Sequence, residues 1–314
     1  MADAPWPGAV AVSGGADSLA LMHLLAAWAK SARRKAPVVL TVDHGLRDGS
    51  SADARKVARW ARAAGLKAAV LTWKGDKPKA DIEAEARAAR YRLMAQWCRA
   101  NGVAALYVGH TRDDQVETFM LRLARGSGLD GLASMRAVSP CPGHADIALV
   151  RPLLGFARDD VRAGVAERID DPMNADLRFG RVRVREALAG LGVSVERIAA
   201  AAAHLDRARA ALEEVTEAVL HRACRPDKAG SILVETAALT AAPREIGLRA
   251  LAKLLMAVSG QVYRPRFERS ERLFDSLVNG GLGAGSTLHG CKIAPAGGGH
   301  IRISPEKGRA PPPQ

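Results

Sequence analysis

A short apolar run at residues 9–12 breaks at a Ser-Gly-Gly turn, residues 13–15, and an apolar-rich segment follows over residues 17–32. The run predicts a buried strand and the segment predicts a helix. Two glycines allow a tight turn in which backbone N–H groups converge without interference from Cβ atoms. The helix N-terminus adds unpaired N–H groups and partial positive charge. With the hydroxyls of Ser13 and Ser18, the turn predicts a cradle for phosphate or pyrophosphate.

Asp17, at the start of that helix, is an unexpected neighbour for phosphate because a carboxylate repels it. It fits if it holds a magnesium ion or a cationic substrate group beside the phosphates. The alternative is an acid that interacts favourably with the helix dipole. The chain contains no Gly-Lys-Ser or Gly-Lys-Thr sequence, so this turn is not a Walker A loop.

Strands and helices alternate through the N-terminal half of the chain. The further strands are predicted at residues 38–42, 68–73, 106–108 and 147–150, and the helices at 51–64, 81–101 and 113–125, with Asp81 as an N-cap. This alternation predicts an α/β fold with a doubly wound, Rossmann-like parallel sheet of about five strands. Ligands bind at the carboxyl ends of strands in such sheets, which places residues 13–18, 43–47 and 110–117 along one crevice.

A Gly-x-Gly-x-x-Gly match at residues 126–131 follows a helix rather than a strand. It therefore fails the context required of a dinucleotide-binding loop, and a flexible loop beside the crevice is expected instead.

The C-terminal half has a different organisation. Residues 195–223 predict one long helix, with an apolar stripe at steps of three and four. The stripe comprises Val195, Ile198, Ala202, Leu205, Ala208, Leu212, Val215 and Val219. We expect a catalytic domain at 1–193, a linker helix at 194–223, a small basic α+β domain at 224–308 and a disordered tail at 309–314. A coiled-coil surface for a homodimer is the alternative role of the long helix.

The chain has a formal net charge of +13 and a pI of about 10.1. Such a balance predicts a polyanionic partner, nucleic acid before membrane; the alternative is a basic protein from an Arg- and Ala-rich proteome. No signal peptide or membrane-length apolar run is present, so a cytoplasmic location is expected. The four cysteines are scattered without a Cys-x-x-Cys pair, which argues against zinc or iron–sulfur sites and favours buried free thiols.

A second dense cluster of polar residues spans residues 109–118. On a helix, His110 and Asp114 are four residues apart, as are Asp113 and Glu117. Three carboxylates this close repel one another, so cations are expected nearby. The alternative is a set of acids favoured by the helix N-terminus, although the histidine and the position after a strand argue against it.

Arginines recur in two further segments. Arg87 and Arg90 lie about one helical turn apart, and Arg178, Arg181, Arg183 and Arg185 follow an Asp-Pro-Met-Asn turn at 171–174. Both sets offer charge-assisted bonds to phosphates. The alternative for both is an exposed basic surface.

Taken together, these segments resemble the tRNA(Ile)-lysidine synthetases, a family of the PP-loop ATP pyrophosphatase superfamily, from Val10 to about Arg185. The matching segments are Ser-Gly-Gly-Ala-Asp-Ser at 13–18, Val-Asp-His-Gly-Leu-Arg at 42–47, Ala-Arg-x-x-Arg-Tyr at 86–91, Gly-His-x-x-Asp-Asp-Gln-x-Glu-Thr at 109–118, Arg-Gly-Ser-Gly at 125–128, Arg-Pro-Leu-Leu at 151–154 and Asp-Pro-x-Asn at 171–174. The first motif is shared by the whole superfamily, whereas the ordered set is specific. Val182 departs from the family, which usually has Asn there, and the chain looks short beside three-domain members.

The resemblance implies a reaction that uses ATP and Mg²⁺ to join L-lysine to C2 of the wobble cytidine of tRNA(Ile) with a CAU anticodon. The cytidine oxygen attacks the α-phosphate, pyrophosphate leaves, and the lysine ε-amine then displaces AMP. The implied catalytic residues are Asp17, His110 and Asp114, with Asp17 as a magnesium ligand. The implied ATP-binding residues are Ser13, Gly14, Gly15, Asp17, Ser18, Asp43, His44, Arg87 and Gly109. The implied lysine-binding residues are Asp17, Asp113, Asp114 and Glu117. The implied tRNA-binding residues are Arg90, Arg178, Arg181 and Arg185. Beyond the resemblance, the cluster of basic residues after about residue 223 predicts that Arg266, Arg269 and Arg272 also bind tRNA.

Two alternatives stay open on the sequence. A tRNA thiolase of the same superfamily would share the phosphate loop, but thiolases that use a cysteine pair or a metal cluster need spacings that this chain lacks. A nucleotide-regulated RNA-binding protein without chemistry would not need three carboxylates beside the phosphate loop.

Overall fold

A computed structural model describes residues 4–75, 77–78, 80–169, 180–227, 230–261 and 263–306. The chain divides into two compact units, Met1–Asp206 and Arg207–Gln314, here called unit 1 and unit 2. The division falls inside the long helix rather than at either of its ends.

Unit 1 is built on a six-stranded sheet. Its strands are β1 (Gly8–Ala11), β2 (Val38–Asp43), β3 (Ala68–Thr72), β4 (Ala105–Tyr107), β5 (Val138–Cys141) and β6 (His144–Val150). The order is β3-β2-β1-β4-β6-β5, with every pairing parallel except the antiparallel edge pair of β5 and β6. The α/β fold with a largely parallel sheet is thus confirmed, and among the six strands only the short edge strand β5 was not predicted.

The helices of unit 1 cover both faces of the sheet. They are α1 (Ala16–Ser31), α2 (Ser50–Ala63), α3 (Ile82–Ala100), α4 (Arg112–Leu123), α5 (Leu129–Leu132), α6 (Arg158–Arg162) and α7 (Gly180–Leu191). Val10 of β1 joins one buried cluster with Leu21 and Leu25 of α1, while Ala9 joins another with Met94 of α3. Adjacent residues of one strand therefore serve opposite cores, as a doubly wound sheet requires.

Two local expectations in unit 1 were wrong. The glycine-rich segment 126–131 contains the short helix α5 rather than only loop, because Leu129 and Leu132 lie three residues apart and are both half-buried. Asp81 occupies the N-cap position of α3, but its backbone is left-handed and its side chain makes no capping hydrogen bond.

Unit 2 is an α+β assembly. It contains the C-terminal part of α8 (Val195–Ala223), then β7 (Cys224–Pro226), β8 (Ile232–Glu235), α9 (Thr236–Thr240), α10 (Arg244–Ser259), α11 (Phe267–Val278), β9 (Ser286–Leu288), β10 (Cys291–Gly297) and β11 (His300–Pro305). The strands pair antiparallel in the order β7-β8-β11-β10-β9. Leu251 and Leu255 of α10 and Phe274 of α11 pack against this sheet in one core.

The apolar stripe predicted along α8 holds only in part. Ala202 and Val219 are buried, but Ala208 and Val215 are exposed, and Thr216 is buried in place of Val215. The Thr216 hydroxyl donates to the Leu212 carbonyl at 2.6 Å, which satisfies it inside the core. Each end of the helix belongs to a different unit and buries its own face, so one continuous stripe is not needed. None of the described helices combines the length and apolar content needed to cross a bilayer.

Candidate active site

The turn between β1 and α1 has the geometry of an anion cradle. Gly14 has a φ of 93°, and a Cβ atom there would lie 2.5 Å from the Ile169 side chain, so glycine is required. The Ser13 N–H donates to Ser18 Oγ at 3.2 Å, and the Ser18 hydroxyl donates to the Gly15 carbonyl at 2.8 Å. Because the N-cap Gly15 supplies no side-chain cap, the first turn of α1 faces the loop uncapped.

Gly109, at the end of β4, brings the second motif against this turn. A Cβ atom at Gly109 would lie 2.8 Å from the Asp17 carbonyl oxygen and 3.1 Å from the Ser18 nitrogen. Only glycine permits this approach, and it places the acids that open α4 beside the start of α1. Two of the three segments that the strand-end rule assigned to one crevice, residues 13–18 and 110–117, therefore do lie together.

A buried arginine joins the acids of the two motifs. Arg158, the first residue of α6, lies 2.9 Å from Glu117 Oε1, 3.2 Å from Asp114 Oδ1 and 3.9 Å from Asp17 Oδ2. Arg162, one turn later, donates to both Asp17 oxygens at 2.7 and 3.0 Å. Arg158, Asp114 and Glu117 are each less than 10% exposed, so their charges are held largely away from water.

Two more residues complete this cluster. Asp113 accepts the backbone N–H of Arg158 at 2.8 Å, and Arg185 of α7 lies 2.9 Å from Glu117 Oε1. The other oxygen of Glu117, Oε2, is buried and has no hydrogen-bond partner among the described residues. We call this set the carboxylate–arginine cluster: Asp17, Asp113, Asp114, Glu117, Arg158, Arg162 and Arg185.

Arg158 and Arg162 were not among the residues predicted for the site, although cations were expected beside these acids. The signal was available, because β6 is a parallel strand and α6 follows its carboxyl end by a short connection. Applying the strand-end rule to β6 would have placed both arginines in the crevice.

The surroundings of the Asp114–Arg158 pair keep both side chains ionised. Burial acts to raise the pKa of Asp114, but the Thr111 backbone N–H at 2.8 Å and the charge of Arg158 outweigh it, so the pKa is lowered. Burial acts to lower the pKa of Arg158, but the negative charges of Glu117 and Asp114 outweigh this effect, so the pKa is raised. The buried pair is therefore charged on both sides at neutral pH.

His110 is neutral under the same conditions. Burial lowers the pKa of His110 to about 3. The positive charges of Arg151, Arg87 and Arg181 also lower it, whereas the negative charge of Asp114 acts to raise it. Its Nδ1 atom is buried and has no hydrogen-bond partner among the described residues. A neutral imidazole at this point can exchange a hydrogen bond with a ligand without carrying charge.

A second, cationic side of the crevice surrounds His44. Burial lowers the pKa of His44 to about 4, with Arg90 and Lys77 contributing and Asp43 opposing. Arg87 and Arg90 both stack over the ring of Tyr91, at 5.2 and 5.5 Å. These guanidiniums are half-buried and held in place, so α3 does not present them as a freely solvated face.

The carboxylate of Asp43 is hydrogen-bonded within the turn that follows β2. It accepts hydrogen bonds from the Gly45 N–H at 3.1 Å, from the Ser50 hydroxyl at 2.5 Å and from the Ser51 hydroxyl. Burial acts to raise the pKa of Asp43, but these bonds lower it overall. Its carboxylate thus braces the start of α2 at the rim of the crevice.

A cavity of about 200 Å³ opens beside Glu117. Its polar end contains Asp113, Glu117, Arg158 and Arg185, and its apolar walls are Val116, Leu188, Val193 and Val195. It suits a ligand with an apolar body and one charged end.

The remaining predicted residues fall in three places. Arg181 lies on α7 and is half-buried, whereas Arg266, Arg269 and Arg272 are exposed on unit 2. Arg178 and the turn at 171–174 lie outside the described residues. Val182, where the resembling family usually has Asn, is buried.

Metal-ligating clusters are absent from the described part of the chain. No three His, Cys, Asp or Glu side chains there are grouped to hold a metal ion. Cys98, Cys141 and Cys291 are buried free thiols, as expected from their spacing, and Cys224 is a half-buried one.

Comparisons with known proteins identify the family and the fold of this chain. Residues 7–191 match the model of the PP-loop domain family. A tRNA(Ile)-lysidine synthase of Wolbachia pipientis wMel is 38% identical over 293 residues, which cover 91% of this chain and 67% of the relative. The enzyme of the same name from Ruegeria pomeroyi is 39% identical, and the match covers 90% of this chain and 70% of that enzyme. The one from Methylobacterium nodulans is 38% identical, and the match covers 96% of this chain and 90% of that enzyme.

A solved structure shares the fold at much lower sequence similarity. The U34-tRNA thiolase NcsA from Methanococcus maripaludis, solved with its [4Fe-4S] cluster, superposes with a TM-score of 0.51 at 15% identity. The match covers 63% of this chain and 71% of the thiolase. At this identity the likeness shows the fold alone.

Proposed function

The chain belongs to the tRNA(Ile)-lysidine synthase family, and on this premise we propose how its residues divide the ligation of L-lysine to the wobble cytidine of tRNA(Ile) with a CAU anticodon. The enzyme is an ATP-dependent carbon–nitrogen ligase of the PP-loop type. ATP adenylates the cytidine C2 oxygen with loss of pyrophosphate, and the lysine ε-amine then replaces AMP.

The observation that supports lysine as the second substrate is the charge of the carboxylate–arginine cluster. Its four carboxylates face three guanidiniums, so one negative charge is uncompensated within the cluster. The buried Glu117 Oε2 atom, which lacks a described partner, is the acceptor best placed for an added donor. An ammonium group supplies both the missing charge and the missing hydrogen bond.

The cavity beside Glu117 suits the rest of the amino acid. Val116, Leu188 and Val195 offer apolar contacts for the four methylenes of lysine, while Asp113 and Glu117 meet its ε-ammonium at the polar end. Only the free amine attacks, so one of Asp17, Asp114 and His110 takes up the ammonium proton before the attack.

The Ser-Gly-Gly turn receives the triphosphate of ATP. Its uncapped helix N-terminus and the Ser13 and Ser18 hydroxyls are arranged for charge that develops on pyrophosphate as it leaves. Arg87, half-buried on the cationic side, adds a fixed charge for the nucleotide. Neutral His110 exchanges a hydrogen bond with the reacting groups, and ionised Asp114 helps to orient them.

Asp17 fits a magnesium ion bound together with ATP. Its carboxylate lies in the first turn of α1 beside the phosphate loop, and Mg²⁺ is typically held by one or two carboxylates plus substrate phosphates. Arg162, which pairs with Asp17, is about half exposed and free to move aside. When bound, the ion neutralises charge on the phosphates.

The tRNA is bound by arginines of both units. Arg90, Arg178, Arg181 and Arg185 belong to the sequence range of unit 1, and Arg266, Arg269 and Arg272 belong to that of unit 2. Their contacts with backbone phosphates would supply most of the affinity.

The test is an incubation with ATP, radiolabelled lysine and a tRNA(Ile) transcript with a CAU anticodon. We expect label in the tRNA and one AMP for each lysine incorporated. Stoichiometric ADP, or AMP release that depends on a sulfur donor instead of lysine, would overturn the proposal. A transcript with a changed wobble base is the control and should stay unlabelled.

A further inference from the structure

Two aromatic side chains of unit 2 are largely exposed to solvent. Tyr263 is 85% exposed and Phe267 is 62% exposed, the two highest values among the large hydrophobic and aromatic side chains of the described residues. Both lie in the segment 263–272, here called the aromatic–arginine segment. Its exposed arginines are Arg264, Arg266, Arg269 and Arg272.

The backbone beneath these rings is held in place. Pro265 and Ser270 are buried, and the Ser270 hydroxyl donates to the Arg266 carbonyl at 3.2 Å. The Tyr263 backbone hydrogen-bonds to the side chain of His289, which lies in the turn between β9 and β10. The rings therefore project from an anchored segment rather than from a loose loop.

Helical periodicity makes the exposure of Phe267 informative. Phe267 lies three residues before Ser270 and seven before Phe274, and both of those side chains are buried on the inner face of α11. A ring in this register normally joins the core, yet Phe267 lies in the first turn, beyond the end of the packed surface. Among the described residues, neither Phe267 nor Tyr263 packs against another aromatic ring.

The surroundings of the rings identify what would cover them. A protein surface or a lipid bilayer would favour a continuous apolar face, whereas the exposed residues between these rings are Arg264 and Arg266. Exposed aromatic rings interleaved with arginines match unpaired nucleotides, in which each base stacks on a ring and each phosphate meets a guanidinium. Paired bases inside a duplex are already stacked and offer no such face.

We propose that Tyr263 and Phe267 stack on unpaired bases of the tRNA while the adjacent arginines bind the phosphates of the same nucleotides. This inference rests on the proposed function in that the ligand is a tRNA. It adds a mode of binding that depends on single-stranded loops rather than on charge alone.

The test compares variants of the full chain that differ only in the rings. Y263L/F267L keeps apolar side chains but removes both π faces, whereas Y263F/F267Y keeps two rings and is the matched control. We expect Y263L/F267L to lose about tenfold or more in tRNA affinity. The loss should be the same at every salt concentration, because stacking releases no counterions. The control should bind as the wild type does.

A second pair of probes separates stacking from charge. Y263L/F267L should bind an unstructured oligoribonucleotide more weakly than the wild type, and a fully paired RNA duplex equally well. Ultraviolet crosslinking of the wild-type chain to tRNA should map to Tyr263 or Phe267, which provides a test even if the double variant folds poorly. Unchanged tRNA affinity, an equal loss on the duplex, or crosslinks confined to other residues would overturn the stacking proposal.

Lysine transfer distinguishes failure of this inference from failure of the proposed function. If the wild type transfers lysine while Y263L/F267L binds tRNA normally, only the stacking proposal is wrong. If the wild type transfers no lysine but binds RNA through the two rings, only the proposed function is wrong.

Discussion

Replacing Arg158 by methionine removes the guanidinium that joins Asp114, Glu117 and Asp17 while keeping an unbranched apolar stem. The change leaves two buried carboxylates, Asp114 and Glu117, without their shared partner. Breaking a buried ion pair in this way costs about 3–5 kcal/mol of unfolding free energy. Glu117 keeps Arg185 and Asp114 keeps Thr111, so we expect a loss of about 3 kcal/mol, at the lower end of that range.

This loss is large enough to measure by thermal unfolding. For a unit of roughly 200 residues, each kcal/mol lowers the melting temperature by about 2–4 °C, so R158M should melt about 6–12 °C below the wild type. R162M is the matched control, because Arg162 lies one turn later on α6 and is 45% exposed. An exposed pair of this kind contributes at most about 1 kcal/mol.

The pH dependence gives a sharper test of the same reasoning. The pKa of Asp114 is lowered in the folded state, so its contribution to stability is present above its usual pKa of 3.8 and lost as pH falls through the lower folded value. In R158M, burial acts on Asp114 without the opposing charge, so its pKa rises and protonation relieves the cost in acid. The difference between R158M and the wild type should therefore shrink as pH falls from 7 towards 4. A difference that stays constant or grows would refute this account.

Four further substitutions test which residue does what in the site. Asp17→Asn and Asp114→Asn should each lower lysine transfer by about 10²-fold or more with the fold intact. Near-normal transfer by both variants would mean that these acids only stabilise the starts of their helices. Glu117→Gln should raise the KM for lysine and leave the KM for ATP unchanged in steady-state assays; an equal rise in both would argue against an ammonium site. Gly109→Ala should cost about 10²-fold in activity by pushing the strand-end loop away from Asp17, whereas Gly164→Ala, which meets no atom within 4 Å, should be silent.

The parts of the fold that depend on local pattern could be predicted from the sequence. The phosphate turn and its helix are encoded by adjacent residues, and the observed bounds Gly8–Ala11 and Ala16–Ser31 differ from the predicted ones by one residue at each end. The edge strand Val138–Cys141 was missed because an edge strand with one exposed face carries little apolar periodicity. The buried face of α8 was misjudged because tertiary contacts, not helical period alone, decide which side is covered.

Contacts between distant parts of the chain also limited the prediction of single residues in the site. The acids of α4 and α1 were identified because they sit in dense motifs. Arg158 lies in a short helix without a motif, and its role comes from contacts with residues more than 40 positions away. Which acid pairs with which cation is fixed by the packing of α6 against α1 and α4. No spacing rule in the sequence contains that information.

The last prediction concerns three exposed arginines of α11 and its N-cap, Arg266, Arg269 and Arg272. In the proposed function they bind tRNA phosphates, and each such contact releases counterions. Changing all three to glutamine should weaken tRNA binding and reduce the slope of log affinity against log salt by up to about 3 units, at one unit or less per contact. The affinity for ATP should stay unchanged, because the phosphate loop belongs to unit 1.

A matched control separates local contacts from net charge. The control removes three exposed arginines from α2 of unit 1: Arg55, Arg59 and Arg62. Both triple variants lower the net charge equally, so a general electrostatic attraction predicts equal effects on tRNA affinity. Direct phosphate contacts predict a loss of slope only for the α11 variant, because only bound arginines displace counterions. Equal slopes in all three proteins would limit these α11 arginines to a structural or solubilising role, and the phosphate contacts would then be sought among the arginines at 178–185.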